Sequence, residues 1–539
     1  MSRTRSFWHW GFEEDFPDPA AREALAQRAR FLVPSLGEVR EEALPVLAAV
    51  RVRDVRLGVP PALAHRASSA LHDRVMHAGG KGYRDVLRAF RGEFPCIPDV
   101  VLYPERDEDL AAAFELCARE GAALVPFGGG TSVTSGVTYD GQRPIVCVDL
   151  GKMHQLRDVD AVSRLVRIEG GATGPGLEAQ LAAHGLSLRF YPQSFELSTL
   201  GGWIATRAGG HFATGYTHID EMVAGLRMVS PSGPFETKVF PASGAGPDPN
   251  RFVIGSEGAL GIITEATLRA FRRPTYRASA TVFFAELAGA VDAARMVVQA
   301  GLQPSNCRVL DRNEALMSGV SADQCALLLG FESADHELGE WMDRALKLAV
   351  RQGGHAEPAR YTRGLSKRRN SIAPKARGLG TTTDTWRASF LRGPYLQSAL
   401  VPYSVMVDTF ETACVWSRFE ALDREVRAAL AEAMAPWGGG MVSLRFSHVY
   451  PDGPAPYYTF GLRADRGREI EQHMSIKRAV SDALARAGGT ITHHHAVGRL
   501  HQEWYEAERP ALFGDVLRAA KRVLDPASIM NPGVLVRPE

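Results

Sequence analysis

The sequence is short of several things, and each shortage excludes a class of protein. Six of its 539 residues are cysteine, widely scattered and never spaced as Cys-x-x-Cys. This argues against a zinc ribbon or a disulfide framework and fits a reducing compartment. No charge sign dominates: 62 Lys and Arg face 61 Asp and Glu, which leaves no electrostatic footprint for nucleic acid. No apolar run reaches the roughly 20 residues that span a bilayer. The opening Met1-Ser2-Arg3-Thr4-Arg5 runs into aromatics rather than into the apolar core of a signal peptide, and Val536-Arg537-Pro538-Glu539 carries no known address. No repeat or low-complexity tract stands out. The expectation is a cytoplasmic globular protein of two or more domains.

What the chain does have is glycine in clusters. Residues 122–125 read as a short strand that feeds Pro126-Phe127-Gly128-Gly129-Gly130-Thr131-Ser132-Val133. Three consecutive residues without a Cβ let backbone N–H groups converge on an anion, and Thr131 and Ser132 add hydroxyls. No Lys follows the last glycine, so this is no Walker loop; nor does it have the Gly-x-Gly-x-x-Gly spacing of a Rossmann turn. Alone, it is as readily an ordinary glycine-rich turn. Two more clusters follow. Residues 191–210 are dense in hydroxyls and glycines, and Gly255-Ser256-Glu257-Gly258-Ala259-Leu260-Gly261 runs into a strand.

The patterning divides the chain. Residues 1–94 read as mostly helical, with helices at 20–30 and 39–50. Trp8, Trp10, Phe12 and Phe16 form a docking patch, and His72 and His77 read as surface residues. From Pro98 strands and helices alternate: strands at 99–103, 145–149 and 165–169, a helix at 107–120 capped by Asp107, a helix at 177–184, and a hairpin at 223–239. Beyond Pro274 a β-α-β rhythm sets in, with strands at 281–285, 307–310 and 325–331, helices at 288–300 and 338–352, and a hairpin at 441–462. The basic run at 360–377 reads as a solvated loop, with a lid or a lipid-facing patch as the alternative. A helix at 467–487 leads to a strand through His493, His494 and His495, and a last helix covers 510–524.

The order and flanks of three motifs carry a family resemblance: the loop at 126–133, Ser198-Thr199-Leu200-Gly201-Gly202, and the stretch at 255–261, closed by Asn531-Pro532-Gly533. With these the chain resembles flavoproteins of the vanillyl-alcohol-oxidase type, which share a p-cresol-methylhydroxylase-like (PCMH-type) FAD-binding domain. Within that superfamily it looks most like the alkyldihydroxyacetonephosphate synthases, on Trp10-Gly11-Phe12, residues 201–208, residues 410–413 with Trp416 and Arg418, and the triple histidine. The implied fold class is α+β: a PCMH-type FAD-binding domain of two α+β subdomains plus an α+β cap. The FAD domain would cover 95–274, the cap 275–500, and residues 501–539 would return to the FAD domain. FAD would be lined by Pro126, Phe127, Gly128, Gly129, Gly130, Thr131 and Ser132; by Gln193, Ser194, Ser198 and Thr199; by Thr206, Arg207, Ala208 and Gly209; and by Glu257, Gly258, Ala259, Leu260, Gly261, Ile262 and Ile263. The first loop has no histidine, so FAD is expected to be noncovalent.

The same resemblance assigns the chemistry. It implies a redox-neutral exchange of the acyl chain of acyl-dihydroxyacetone phosphate for a long-chain alcohol, with a homodimer expected and a peripheral membrane contact left open. Tyr457 aligns with the family's acid/base tyrosine, although Tyr458 stands one register away, and the phenol would need a nearby cation to act as a base. Arg308 and Arg418 align with functional arginines and suit a phosphate or carboxylate, Arg418 as a substrate ligand. His493, His494 and His495 would hold phosphate or move protons. A metal site is weaker, because on a strand only His493 and His495 would share a face. Phe190 and Gln193 depart from the family's histidine and aspartate. The alternatives are an FAD-linked 2-hydroxy-acid dehydrogenase of the D-lactate or glycolate type, and a flavin-binding scaffold without catalysis.

Overall fold

The computed structural model describes residues 3–364 and 382–537. Three sheets organise it. The first has four strands in the order Ala67–Ser68, Val100–Leu102, Ile145–Asp149, Ala123–Phe127, and its last two pairings are parallel. The parallel crossover is made by helix Asp107–Glu120. Asp107, Glu108 and Asp109 occupy its positive first turn, and Gly121 closes it in the left-handed conformation. Arg106, not Asp107, is the N-cap residue; the carboxylate that bonds the preceding chain is that of Asp109, which accepts from Glu105 N at 3.0 Å. The C-terminal segment returns to this sheet, with Leu124 N donating to Ile529 O and Asn531 N to Leu124 O, both at 2.8 Å.

The second sheet is antiparallel, in the order Leu156–Asp160, Leu165–Glu169, Ile262–Arg269, Val223–Ser230, Gly233–Glu236. Its central strand is the one into which the third glycine cluster runs. Helix Leu200–Thr206 packs on this sheet, tied by Gly201 N to Gly170 O at 2.7 Å.

The third sheet has eight antiparallel strands. Along the main path the order is His355–Ala356, Tyr276–Phe284, Cys325–Ser333, Asn306–Leu310, Gly440–Val449, Pro454–Arg463, Val405–Glu411, and Arg360–Arg363 also pairs with Tyr276–Phe284. One face is covered by helices Leu287–Gln299, Gly339–Arg351, Trp416–Met434 and Glu469–Ala487, which form one apolar core with Cys307, Val309, Leu444, Phe446 and Tyr458. Side chains alternate across a strand, so the neighbours Arg308, Arg445 and Tyr457 project from the opposite face.

The N-terminal expectation holds only in part. Helix Pro19–Leu32 forms, with Pro19 in its first turn and Asp18 accepting from Ala21 N at 2.8 Å. Residues 39–50 are not a helix. Pro45 lacks a donor and biases Leu44 towards extended backbone, and Glu42 N bonds Pro402 O instead, which leaves only the short 3₁₀ turn Leu47–Ala49. Trp8 is buried in the third sheet's core, and Trp10 packs with Leu197 and Tyr395, as a docking patch should. His77 is no surface residue. It is 2% exposed, and its two ring nitrogens bond Asp73 O (2.7 Å) and Asp149 (2.9 Å). Within the basic run, Arg360 and Arg363 are on an exposed strand; Lys367, Arg368, Arg369, Lys375 and Arg377 lie outside the described residues.

Candidate active site

A cavity of about 470 Å³ lies between the glycine clusters and the open face of the third sheet. Its floor is backbone. A Cβ on Gly128 would stand 2.2 Å from Thr199 Oγ1, and one on Gly129 would stand 2.2 Å from Leu197 O and 2.7 Å from Ser198 Cα. Gly130 has φ +64 and is closed over by the Phe127 ring. The first and second glycine clusters therefore touch backbone to backbone, which no other residue type permits. This is a cradle for an elongated, phosphate-bearing group, and it fits the pyrophosphate and ribityl chain of FAD.

Of the expected cofactor residues, Pro126 to Ser132, Gln193, Ser194, Ser198, Thr199, Thr206, Ala208, Gly209, Glu257, Gly258, Gly261, Ile262 and Ile263 all line this cavity. Arg207, Ala259 and Leu260 do not. Arg207 caps helix Leu200–Thr206 in the left-handed conformation and turns outward to pair with Asp220 at 3.3 Å. Ala259 and Leu260 are buried in the wall behind. Glu257 is fully enclosed, which raises its carboxyl to about 7. It accepts from Val497 N and Gly498 N, each at 2.8 Å, and so ties the third glycine cluster to the segment after the histidines.

The roof is made of side chains. Arg445 and Glu411 flank Tyr457 directly on the two neighbouring strands. Tyr457 O–H donates to Thr409 Oγ1 at 3.1 Å, and the Arg445 guanidinium sits 4.0 Å from the centre of its ring. Tyr458 faces the opposite side, its hydroxyl on Asp423, so period two separates the two tyrosines. Burial raises the Tyr457 phenol, with Arg445 opposing, so the cation does not turn it into a resting base; the group stands protonated. Arg308 is 3% exposed and donates to the carbonyls of Ser447 and His211. Burial, followed by the like charge of Arg445, lowers it to about 9. Arg445 in turn bonds Glu314 at 3.0 Å.

The triple histidine is not on a strand. Glu411 is the reason: its carboxylate accepts from Thr492 Oγ1 (2.6 Å) and from the backbone N–H groups of His493 (2.7 Å), His494 (3.1 Å) and His495 (3.0 Å). Consecutive N–H groups converging on one anion need a turned backbone, whereas a strand points them alternately away. Burial alone would raise Glu411, but the imidazoles, once acid protonates them, and these bonds hold it well below the usual carboxylate range. Burial keeps the imidazoles neutral, His495 down to about 3. His494 and His495 line the cavity beside Tyr457, with ring centres 6.0 and 5.3 Å from it. His493 turns away from the cavity to Tyr450, at 2.8 Å. His448, His493 and His494 bring ring nitrogens within 4.8 Å of one another, a grouping that strand alternation did not foresee.

Arg418 joins none of this. It is exposed in the first turn of helix Trp416–Met434, outside the cavity, because that helix packs on the far side of the sheet. Phe190 is fully buried against Trp203 and Gly210, so its departure from the family is a matter of core packing. Gln193 does reach the cavity and donates to Phe390 O at 2.8 Å. Arg445, His448, Glu411 and Thr409 were missed by sequence reading. Arg445 had a usable signal: it lies opposite Tyr457 in the hairpin and shares its side of the alternation.

Two protein-family models match the chain in succession: an FAD binding domain over residues 98–237 and the C-terminal domain of FAD linked oxidases over residues 273–535. The chain is 29% identical over 479 residues to an alkyldihydroxyacetonephosphate synthase from Trypanosoma brucei brucei, covering 86% of this chain and 77% of that protein. It is 26% identical over 455 residues to a mitochondrial D-lactate dehydrogenase (cytochrome) from Arabidopsis thaliana, covering 82% and 74%. A solved alkyldihydroxyacetonephosphate synthase shares the fold with a TM-score of 0.79 and 22% identity over 98% of each chain.

Proposed function

The chain belongs to the FAD-linked oxidase family of flavoproteins, and from that premise we propose that it is an alkyldihydroxyacetonephosphate synthase. It would exchange the acyl chain of acyl-dihydroxyacetone phosphate for a long-chain alcohol without net redox change, with FAD bound noncovalently. Residues 95–274 and 501–539 form the FAD portion in this reading, and residues 275–500 form the cap.

One observation carries the proposal: the cavity between the polar roof and the glycine floor also has an apolar lining. Leu25, Ala29 and Leu32 of helix Pro19–Leu32 and Leu396, Val405 and Val407 from the cap line it, with Arg28 among them. A small hydroxy acid has no use for such a lining, whereas a fatty acyl or alkyl chain gains roughly 0.8 kcal/mol per buried methylene. FAD, when bound, supplies a nucleophilic nitrogen towards C1 of the substrate. Arg308 and Arg445 provide the positive field for a phosphate or for the departing carboxylate. Tyr457 enters the cycle protonated and exchanges a proton at C1, steadied by Thr409. His494 and His495, neutral at pH 7, can each both donate and accept a hydrogen bond, which suits them to pass a proton from the incoming alcohol.

The similarity to a D-lactate dehydrogenase supports the second reading, oxidation of a 2-hydroxy acid. The two part in one anaerobic experiment. With acyl-dihydroxyacetone phosphate and a labelled hexadecanol, the synthase forms labelled ether and the flavin stays oxidised. Bleaching by a 2-hydroxy acid, with no ether formed, would overturn the proposal in favour of the dehydrogenase.

A further inference from the structure

A second short glycine run, Gly79-Gly80-Lys81-Gly82, lies directly against the cradle. A Cβ on Gly80 would stand 2.2 Å from Ser132 O, and one on Gly82 would stand 2.8 Å from Val133 O. Neither glycine has a positive φ; what requires them is the close approach of the two backbones. Lys81 N donates to Ser132 O at 2.7 Å, which sets the residue beside the turn that follows Gly130. Lys81 lines the same cavity and is 6% exposed. Among the described residues its ammonium has no hydrogen-bond acceptor and no carboxylate within ion-pairing distance. A buried cation without a partner is costly, so a fold keeps one where something that binds later supplies the missing charge.

A second cation stands on the other side of the loop. The Arg5 guanidinium donates to Gly129 O at 2.8 Å and is partly buried, with Nε unpartnered among the described residues. The other charges around Lys81 are the half-buried Asp85, which also feels the charges of Arg84 and Arg88, and Glu13 from the N-terminal segment. The loop that lacks a Walker lysine in its own sequence thus receives one from 50 residues upstream, by tertiary packing.

We propose that Lys81, with Arg5 behind the loop, is a ligand of the FAD pyrophosphate and neutralises part of its dianion. The proposal rests on FAD being the cofactor. Burial, then the like charge of Arg5, lowers the ammonium to about 7 in the flavin-free protein. A dianion beside it raises that value again, so FAD binding takes up a proton above pH 7. The sign follows: affinity is full below pH 7 and falls as pH rises beyond it, by at most tenfold per pH unit.

The test is an FAD titration of the flavin-free full chain, read by flavin fluorescence. Lys81→Met weakens FAD by about 10- to 100-fold, as expected for a lost hydrogen bond between charged groups. It also flattens the pH dependence, leaves the weak binding of riboflavin (which has no phosphate) unchanged, and does not lower the Tm of the flavin-free protein. Lys81→Arg restores most of the affinity. FAD binding within twofold of wild type in Lys81→Met, or an equal loss for riboflavin, overturns the proposal. If Lys81→Met does not fold, inorganic pyrophosphate on the wild-type apoprotein decides: a rise in Tm at pH 6.5 that shrinks above pH 8 supports the assignment, and no rise overturns it. Wild-type protein that binds no FAD at all sinks the cofactor reading itself, which separates the two failures.

Discussion

The floor and the roof of the cavity are built on opposite principles. The floor is backbone: Gly128 to Gly130 and residues 197–199 touch where no Cβ would fit, and binding comes from N–H groups that cannot be placed further away. The roof is side chain: Arg308, Arg445 and Tyr457 project from three strands that lie next to or near one another in the third sheet but up to about 150 positions apart in sequence. A backbone cradle is specified locally and tolerates almost no substitution. A side-chain cluster is specified by strand pairing, and each member can be removed while the sheet stands. Binding and chemistry should therefore come apart under mutation.

The largest expected effect is on the roof. Tyr457→Phe keeps FAD and the fold but lowers turnover by about 10² to 10⁴, the span of general acid–base catalysis; turnover near wild type would remove Tyr457 from the chemistry. Gly129→Ala is the mirror experiment. Its methyl collides with Leu197 O, so FAD occupancy at micromolar flavin falls by at least about tenfold (1.4 kcal/mol). An occupancy equal to wild type would mean that the cradle gives way more easily than its contacts imply.

A smaller effect joins the two regions. Glu411→Gln turns an amide N–H₂ towards donors that the carboxylate now accepts, and costs about 3 kcal/mol of local stability, read as a lower Tm with the flavin still bound. The wild-type pH profile follows from the same cluster. The buried imidazoles titrate below their unfolded value, His495 near 3, so the unfolded chain binds more protons in acid. The depressed Glu411 adds to this below its own unfolded value of 4.5. Stability is therefore full above about pH 6.5 and declines as pH falls; a Tm flat from pH 7 to pH 4 would contradict the geometry. The smallest effect is Arg418→Ala, exposed and outside the cavity: unfolding free energy within about 0.5 kcal/mol of wild type and turnover unchanged. A large loss there would mean that the residue acts through something other than this cavity.

Most strands and long helices were legible, because their apolar periodicity is local. Residues 145–149 and 165–169 match their strands end to end, and the glycine clusters announced a backbone-lined ligand. Residues 39–50 misled because helix-forming composition outweighed one proline in the reading, while Pro45 outweighs the composition in the chain. The histidine run misled because its conformation is set by Glu411, some 80 residues away. Arg418 misled because a motif match carries no information about which side of a sheet a helix covers.

By itself the sequence determined that three ordered glycine clusters can bring backbone close to a ligand, because steric freedom at each is decided by the residue alone; that the ligand is FAD came from the resemblance their order carries. Tertiary structure decided the rest. Strand register turned Tyr457 inward and Tyr458 outward, and one carboxylate bent three histidines out of a strand. Close packing of a distant glycine turn placed Lys81 beside a loop with no lysine of its own. Each of these depends on contacts between residues far apart in the chain, and their distance in space is set only when the sheets and helices pack.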